Sequence, residues 1–465
     1  MTTYPIECGG RPGTIRAMTW RRNLVVVLAH GLRSDAVSSS RRSCSWPLIT
    51  PNLERLGDRG ARLVATSACP NDPGGMTSLL TGLHARQHGQ VDPGRAEPMT
   101  GTFLHWLADE GYHVAGAGVV DAFASALAES VRVADVSDID PADCAYFRHV
   151  HPKGLTAALR QQRRQRLRYG PFEPDRLLID PEDDIDGFIT SAAVRLVEEM
   201  PADKPWALVV AYTGPGNALP PPTLYEAVID PHEVTDGFMP ADLKVLDALA
   251  ELDYPRVMLQ RLEPDKLGRI RADYLGRVSV IDYGVGRLHD AAQARRDATR
   301  NWLAIASDRG CVLGEHGLVG HRSFLCGAVE TPVILAPPRP TAIVPPDLLA
   351  STIDVAPTLA ALCGVDPSPA CPGRSLLPVL EDKPVVPDPP GGLLSEFGHR
   401  LMLETERHKA VFSTPDNRAI GLYDLLNDPD ERHNLIDKPA GRNIIDALRW
   451  RVGNALMPLR AAVLA

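Results

Sequence analysis

Three runs of apolar residues along the chain predict buried β-strands. The first, Asn23–Ala29, reads Asn-Leu-Val-Val-Val-Leu-Ala, and similar runs occupy Trp206–Tyr212 and Trp302–Ala306. Continuous apolar runs rich in branched residues are typical of parallel strands that are covered on both faces. Helix-like segments at Ile185–Glu199 and Ile270–Ala292 separate the runs. This alternation predicts a doubly wound α/β domain.

The ends of these strands are where we expect a binding site. In doubly wound sheets, ligands bind beyond the carboxyl ends of the strands. His30-Gly31, Thr213-Gly214 and Asp308-Arg309 directly follow the three apolar runs. We therefore expect these three pairs of residues to converge on one crevice.

A stretch rich in Pro and Gly, Lys383–Gly392, predicts a boundary in the last part of the chain. We place an α/β domain over residues 1–390 and a C-terminal subdomain, which starts near Leu393, over residues 391–465. The length of 465 residues is sufficient for one large domain and a smaller unit.

Composition and charge limit the partners and the compartment. The chain has 49 Lys and Arg against 58 Asp and Glu, a net charge of −9, so no overall field attracts nucleic acid or an anionic membrane. Its 8 cysteines form no C-x-x-C pair, which indicates reduced thiols. The first ten residues lack a basic region followed by an apolar run, and no stretch reaches the roughly 18 apolar residues of a membrane span. These features predict a cytoplasmic protein that binds neither nucleic acid nor membrane.

A series of short motifs resembles the sulfatase family of the alkaline phosphatase superfamily, and the motifs follow the family's order along nearly the whole chain. Ser307-Asp308-Arg309-Gly310 with Leu313-Gly314-Glu315-His316-Gly317 is the strongest match, to S-D-H-G and L-G-E-H-G. The other motifs are Thr50–Leu56, Ser78–Gly82, Ser351–Leu359, Gly373–Leu376 and Leu422–Leu435. The resemblance implies a sulfatase-like large α/β domain with a central mixed sheet, and a smaller C-terminal subdomain with an antiparallel sheet packed by a helix.

The metal ligands that the resemblance implies are mostly substituted. Active sulfatases hold a divalent cation with carboxylates and an Asn or His, since oxygen-rich ligation suits Ca²⁺ or Mg²⁺. The family's two adjacent Asp ligands correspond here to His30 and Gly31. Asp308 matches a metal carboxylate, but the next ligand position is Arg309, whose guanidinium stays protonated and cannot bind a cation. The resemblance therefore leaves Asp308 and His30 as candidate metal ligands, with a divalent metal as an open alternative and no cofactor assigned.

The nucleophile of the family is also replaced. Counting back from the S-L-L-T-G motif, the Cys or Ser nucleophile falls on Asp72 and the Arg of its motif falls on Met76. A carboxylate is a weak nucleophile and cannot be converted to formylglycine. Cys69 is no substitute, because the motif's Pro and Arg do not follow it two and four residues later. Asp72 also has a structural interpretation, as the N-cap of a helix with Pro73 at its first position.

The cationic groups that hold sulfate in the family are replaced in the same way. The family's K-x-H aligns with Val119-Val120-Asp121, a Pro-His pair aligns with Gly216, and the Lys after L-G-E-H-G aligns with His321. By resemblance, the residues predicted to line the site are His30, Asp72, Met76, Asp121, Asp308, Arg309 and His321.

Three functions follow from this pattern, and the sequence leaves open whether the protein is an enzyme. The first is a catalytically inactive sulfatase homologue, a pseudoenzyme with a degenerate site that serves in binding or assembly, with a protein partner or a second copy of the chain. The second is a repurposed metal-dependent hydrolase that uses His30, Asp72, Asp121, Asp308 and His321 around a metal such as Zn²⁺. The third is a sulfuric or phosphoric ester hydrolase with an atypical site.

Overall fold

The structure is a computed structural model that describes residues 21–37, 46–94, 98–133, 144–169, 177, 179–216, 219–235, 249–250, 262–340, 348–380 and 391–463. Its strands are β1 Asn23–His30, β2 Ala61–Thr66, β3 His113–Gly118, β4 Glu129–Arg132, β5 Trp206–Pro215, β6 Asn301–Ala306, β7 Val312–Leu313, β8 Val319–Gly320, β9 Glu330–Ala336, β10 Ala350–Ser351, β11 Leu393–Phe397, β12 Arg400–Glu404, β13 His408–Ser413 and β14 Ala419–Asp424.

The α-helices are α1 Pro51–Arg59, α2 Gly74–Thr81, α3 Ala85–His88, α4 Phe103–Asp109, α5 Ala145–Val150, α6 Thr156–Tyr169, α7 Ile185–Glu199, α8 Pro264–Ala294, α9 Cys326–Val329, α10 Val355–Leu362, α11 Leu377–Leu380 and α12 Pro439–Val463. Among these described helices, none is both long enough and apolar enough to cross a membrane.

A mixed sheet of eight strands, in the order β10-β2-β9-β6-β1-β5-β3-β4, forms the centre of the fold. Strand β1 pairs in parallel with β5 on one side and β6 on the other, so that Val26 lies opposite Val209 and Ala304. Strand β9 runs antiparallel to both of its neighbours, β2 and β6. The resemblance therefore implied the mixed character of the sheet correctly.

Alternate residues of β1 face two apolar layers, which explains its continuous hydrophobic run. Val25, Val27 and Ala29 pack with α7 and α8 on one face. Leu24, Val26 and Leu28 pack with α2, α4 and α10 on the other. A strand covered on both faces gains by burying apolar side chains at every position.

A second, antiparallel sheet of four strands, β11-β12-β13-β14, follows in the last part of the chain. One face of this small sheet joins the large core through residues such as Phe397 and Met402. Its other face packs on α12 through Leu403 and Leu448 among others. The small sheet begins at Leu393. Most of the boundary segment Lys383–Gly392 lies outside the described residues, and the division of the chain into two domains near residue 390 stays a prediction.

The predicted elements agree closely with the observed ones. Helix α7 has the predicted bounds, and the predicted helix at Ile270–Ala292 lies inside the longer α8. Strand β5 extends to Pro215, three residues beyond its apolar run. The α/β class and the separate small antiparallel sheet are thus as predicted.

Candidate functional site

The carboxyl ends of the central strands meet at a backbone-to-backbone contact. Gly31, just after β1, has φ +73°, and a Cβ added there would lie 2.7 Å from Cα of Gly216. The amide of Gly216 donates a hydrogen bond of 2.8 Å to the carbonyl of His30. This contact leaves no room for a side chain at residue 31. The second Asp of the family's adjacent pair therefore has no counterpart that could fit beside His30.

The carboxylate of Asp308, beyond the end of β6, lies at the centre of the site. Its Oδ2 is 3.3 Å from Nδ1 of His30, and its Oδ1 accepts a weak hydrogen bond of 3.4 Å from the amide of Gly31. Arg309 also donates to Oδ2, at short range. Burial alone would raise the pKa of Asp308, but the charges of Arg309 and His30 outweigh it and hold the pKa well below its usual range.

The histidine at this site is biased towards its charged form. Burial lowers the pKa of His30, while the charge and hydrogen bond of Asp308 and the charge of Asp72 raise it, and the net shift is upward. An imidazolium is a poorer metal ligand than a neutral imidazole, because both ring nitrogens then carry a proton. His30 therefore supports the Asp308 carboxylate as a cationic partner.

Arg309 is a resident cation between two carboxylates. Its side chain is only 7% exposed and forms ion pairs with Asp308 and, at 3.6 Å, with Oδ2 of Asp72. The carboxylate of Asp72 is 57% exposed, at the mouth of the crevice. The guanidinium thus occupies the place between carboxylates where a metal ion would need to bind.

The structure corrects one interpretation of Asp72. Helix α2 begins at Gly74 with Pro73 as its N-cap residue, so the proposal that Asp72 caps the helix and Pro73 opens it was wrong. The side chain of Asn71 accepts a hydrogen bond from the amide of Asp72, and the carboxylate of Asp72 faces the distant residue Arg309 instead of the start of the helix. The side chain is directed by the ion pair with Arg309.

Two serines and a helix end fix the position of Asp308 and Arg309. The hydroxyl of Ser67 donates to the carbonyl of Asp308 at 2.6 Å, and that of Ser307 donates to the carbonyl of Arg309 at 2.7 Å. Gly75, in the first turn of α2, is so close that an added Cβ would lie 3.4 Å from Oδ2 of Asp308. The position of Ser67 could not be read from the sequence, because no local pattern links it to residues 241 positions away.

The structure brings His30, Asp72, Asp308 and Arg309 together, and it places the other predicted residues elsewhere or beside them. Met76 is 6% exposed and lies in the apolar core with α4 and α10. Asp121 is exposed and forms an ion pair of 3.8 Å with Arg132 at the edge strand β4. His321 follows the short strand β8 and is half-buried. Of these three, none belongs to the group of candidate metal ligands found among the described residues.

The residues present do not fit the hard divalent cation of the family. Ligand atoms of His30, Asp72 and Asp308 lie within 4.8 Å of one another, which is close enough for three ligands of one metal. Ca²⁺ takes six to eight oxygen ligands and Mg²⁺ demands near-ideal octahedral geometry. Here one partner of Asp308 is a guanidinium, and residue 31 has no space for a carboxylate. We therefore derive no chemical step through Ca²⁺ or Mg²⁺.

Other nucleophile candidates near α2 are held in structural roles. Cys69 is fully buried, and burial raises the pKa of its thiol to about 12, so it is protonated and unreactive at neutral pH. Ser78 is 2.9 Å from Nε2 of His88, but Nδ1 of His88 accepts a hydrogen bond from the amide of Gln90. Nε2 then carries the ring proton and donates to Ser78, so His88 is not poised as its base.

Glu315 of the L-G-E-H-G motif fixes a loop. It forms an ion pair of 2.6 Å with Arg33, which is 2% exposed and also pairs with Asp35. Trp46 stacks over the guanidinium of Arg33 at 4.7 Å. The contact joins the segment after β1 to the loop after β7.

A large mixed α/β sheet followed by a small antiparallel sheet is the architecture of the sulfatases in the alkaline phosphatase superfamily. The family model described as Sulfatase matches residues 22–365. The chain is 23% identical over 413 residues to a choline-sulfatase of Rhizobium meliloti (strain 1021), which covers 85% of this chain and 79% of that one. It is 24% identical over 511 residues to the multifunctional alkaline phosphatase superfamily protein PehA of Trinickia caryophylli, covering 94% and 96%.

Among solved structures, the phosphonate monoester hydrolase SpPMH from Silicibacter pomeroyi superimposes with a TM-score of 0.75 at 19% identity, over 94% of this chain and 96% of that one. This likeness shows the fold. Because the family model covers most of the chain, the protein belongs to the sulfatase family.

Proposed function

We propose that the protein is a catalytically inactive member of the sulfatase family that serves in binding or assembly, with a protein partner or a second copy of the chain. The observation that carries the proposal is the guanidinium of Arg309, held between Asp308 and Asp72. It supplies the positive charge that the two carboxylates require. A metal ion would have to displace a buried, hydrogen-bonded cation to reach the same oxygens, which leaves an uncompensated charge.

The nucleophile position supports the same conclusion. The carboxylate of Asp72 is a weak nucleophile, and its pairing with Arg309 lowers its reactivity further. Loss of the metal and of the nucleophile would each cost orders of magnitude in the rate of ester hydrolysis. A location in the cytoplasm is part of this proposal and rests on the sequence alone.

The anion-binding positions implied by the resemblance support it as well. Met76 lies in the apolar core where the family has an Arg, and Val119 is partly exposed where the family has a Lys. Asp121 brings a negative charge that is paired with Arg132. These three positions offer no attraction to a sulfate group.

A second candidate, a repurposed metal-dependent hydrolase of esters, is favoured by one observation. Side-chain ligand atoms of His30, Asp72 and Asp308 lie within 4.8 Å of one another, and such a mixed set suits Zn²⁺ better than Ca²⁺. In this case Arg309 would have to turn away from Asp308 and could hold an anionic group of the substrate.

Metal content and turnover separate the two candidates. The full-length protein is purified, its metals are measured by mass spectrometry, and hydrolysis of an aryl sulfate and a phosphate diester is followed with and without added Zn²⁺. The inactive homologue predicts metal far below one ion per chain and no turnover above buffer. Near-stoichiometric metal that a His30→Ala variant loses, together with hydrolysis that falls in the same variant, would overturn the proposal in favour of the hydrolase.

A further inference from the structure

A buried lysine and a buried cysteine lie side by side where the small sheet meets the large domain. Lys409 on β13 is 0% exposed and Cys326 at the start of α9 is 2% exposed. The Nζ of Lys409 is 3.2 Å from the Sγ of Cys326, across 83 positions of the sequence. The two atoms are in direct contact in a packed interior, so neither can easily turn away.

Hydrogen bonds from neighbouring groups fix the positions of Lys409 and Cys326. The Nζ of Lys409 donates to the carbonyl of Phe324 at 2.9 Å and to Oε1 of Glu431 at 2.6 Å. The amide of Cys326 donates to the other oxygen of Glu431 at 2.7 Å. Glu404 approaches Nζ at 4.0 Å. Glu431 therefore clamps both partners, and an ammonium beside a thiol favours the reactive thiolate.

We propose that Cys326 and Lys409 form a site of oxidative modification, at which hydroperoxide joins Sγ to Nζ through a single bridging oxygen. The inference does not depend on the proposed function, since it uses none of the residues of the crevice. A bridging oxygen spans the observed separation after a small shift, whereas a direct sulfur–nitrogen bond would draw the side chains much closer in a close-packed core. Hydrogen peroxide, a molecule little larger than water, gains access by local opening.

The reaction balances with two molecules of hydrogen peroxide. The thiolate of Cys326 attacks the first peroxide; an S–O bond forms, the O–O bond breaks, and a sulfenic acid and hydroxide result. The hydroxide takes one proton from the ammonium of Lys409 and leaves as water, and the resulting amine attacks the second peroxide to give a hydroxylamine and water. The hydroxylamine oxygen then attacks the sulfenic sulfur and displaces its hydroxyl as the third water. Sulfur and nitrogen each lose two electrons, and the two peroxides take them up.

The cross-link would connect the small sheet to the segment after β6 that carries Asp308 and Arg309. Helix α9, which begins at Cys326, also contains Ala328, whose carbonyl accepts a hydrogen bond of 2.7 Å from the amide of Gly310. Gly310 follows Arg309 directly. A covalent bond at Cys326 therefore restricts the segment that carries the site, and a thiol reductant releases it.

The test is peptide mapping of the full-length protein after treatment with hydrogen peroxide. Excess peroxide is removed, free thiols are alkylated, and the protein is digested without reductant. We expect a linked pair of peptides containing residues 326 and 409, heavier than their sum by one oxygen and lighter by two hydrogens, which disappears after reduction. We also expect the oxidised protein to unfold about 5 °C higher, because the link closes a long loop.

Matched variants keep the test decisive. Cys326→Ser changes one atom and should lose both the linked peptides and the thermal shift, and Lys409→Arg should lose the linked peptides while it keeps the positive charge. Cys363 is a buried cysteine whose backbone carbonyl accepts a hydrogen bond from the hydroxyl of Tyr112. It serves as an internal control and should stay unlinked. If Lys409→Arg does not fold, Cys326→Ser still decides. Oxygen adducts on Cys326 without a link to Lys409, or an unmodified pair, would overturn the proposal.

Discussion

Replacing the resident cation by a metal ligand is the sharpest perturbation of the site. Arg309→Asn removes the guanidinium and restores a ligand type that active sulfatases use. Asp308 is fully buried, and the Arg309 side chain is 7% exposed, so the pair belongs to the class of buried ion pairs. Removing one partner from such a pair costs about 3–5 kcal/mol. His30 remains 3.3 Å from the carboxylate, which places the expected loss near the lower end, at about 3 kcal/mol.

A divalent cation should recover much of that loss in the variant alone. With the guanidinium gone, His30, Asp72 and Asp308 are free to share one ion, since their ligand atoms lie within 4.8 Å of one another. Binding to the folded state at a concentration 100 times the Kd stabilises it by about 2.7 kcal/mol. In the parent protein the same ion has to compete with Arg309, and no comparable stabilisation is expected.

The assay is urea unfolding of both proteins in buffer with EDTA and in buffer with Zn²⁺ or Mg²⁺. Arg309→Lys is the matched control, because it keeps a single charge near Asp308 and should lose less stability and gain nothing from metal. If Arg309→Asn is as stable as the parent in EDTA, the guanidinium does not stabilise the buried carboxylate. If the metal stabilises the parent protein as much as the variant, Arg309 does not exclude a metal ion from the site.

Two substitutions and one labelling experiment test the surrounding structure. Arg277→Met should lower the free energy of unfolding by about 4 kcal/mol, because Arg277 is fully buried between two carboxylates. Arg287→Met on the same helix should lower it by less than about 1 kcal/mol. Equal losses in urea unfolding would contradict this expectation. Gly31→Asp should cost about 3 kcal/mol or more, since its φ is +73° and its Cβ would meet backbone, while Gly89→Ala, with φ +81° and nothing within 4 Å, should cost about 1–2 kcal/mol. Cys69, whose pKa burial raises to about 12, should resist iodoacetamide at pH 8 until the protein is unfolded; rapid labelling of the native protein would show that it is accessible.

The strands of the large sheet were readable from sequence because each is buried on both faces. In β1, successive residues from Leu24 to Leu28 pack alternately on two apolar layers, so every position favours an apolar side chain. The last residues of β5, Thr213–Pro215, carry no such signal, because they lie outside the two apolar clusters and their position depends on the end of β1, where His30 lies opposite Pro215. Register at strand ends depends on tertiary pairing and is not encoded locally.

The site was readable in part. His30 and Asp308 could be placed together because they lie at and just beyond the ends of two adjacent parallel strands, and their side chains do lie 3.3 Å apart. The direction of Asp72 could not be placed, because its ion pair with Arg309 joins residues 237 positions apart in sequence and overrides the local preference for a helix cap. Local patterns predict which elements carry the site, and long-range charges decide where the side chains point.

Two polar residues of the motifs that carry the family resemblance, Asp354 and Asn434, bind the chain's own backbone. Asp354 accepts hydrogen bonds from the amides of Ser351 and Arg374, at 3.0 and 2.8 Å. Asn434 accepts one of 3.0 Å from the amide of Leu422. Each bond satisfies an amide that is buried or partly buried, and leaving such a donor without a partner costs about 1–3 kcal/mol. These residues therefore stabilise the fold whether or not a reaction takes place.

Other acidic residues of the motifs divide between the scaffold and the crevice. Glu315 pairs with Arg33 at 2.6 Å and accepts from the amide of Leu313, so this motif acidic residue serves the loop that surrounds the crevice. Asp308 and Arg309, in contrast, form an internal ion pair in which the guanidinium balances the negative charge of the carboxylate. A buried carboxylate needs a positively charged partner, and a guanidinium can fill that role in place of a metal ion. The ion pair thus gives the scaffold a way to hold this buried carboxylate without a metal ion, which is what the proposed role in binding or assembly requires of the fold.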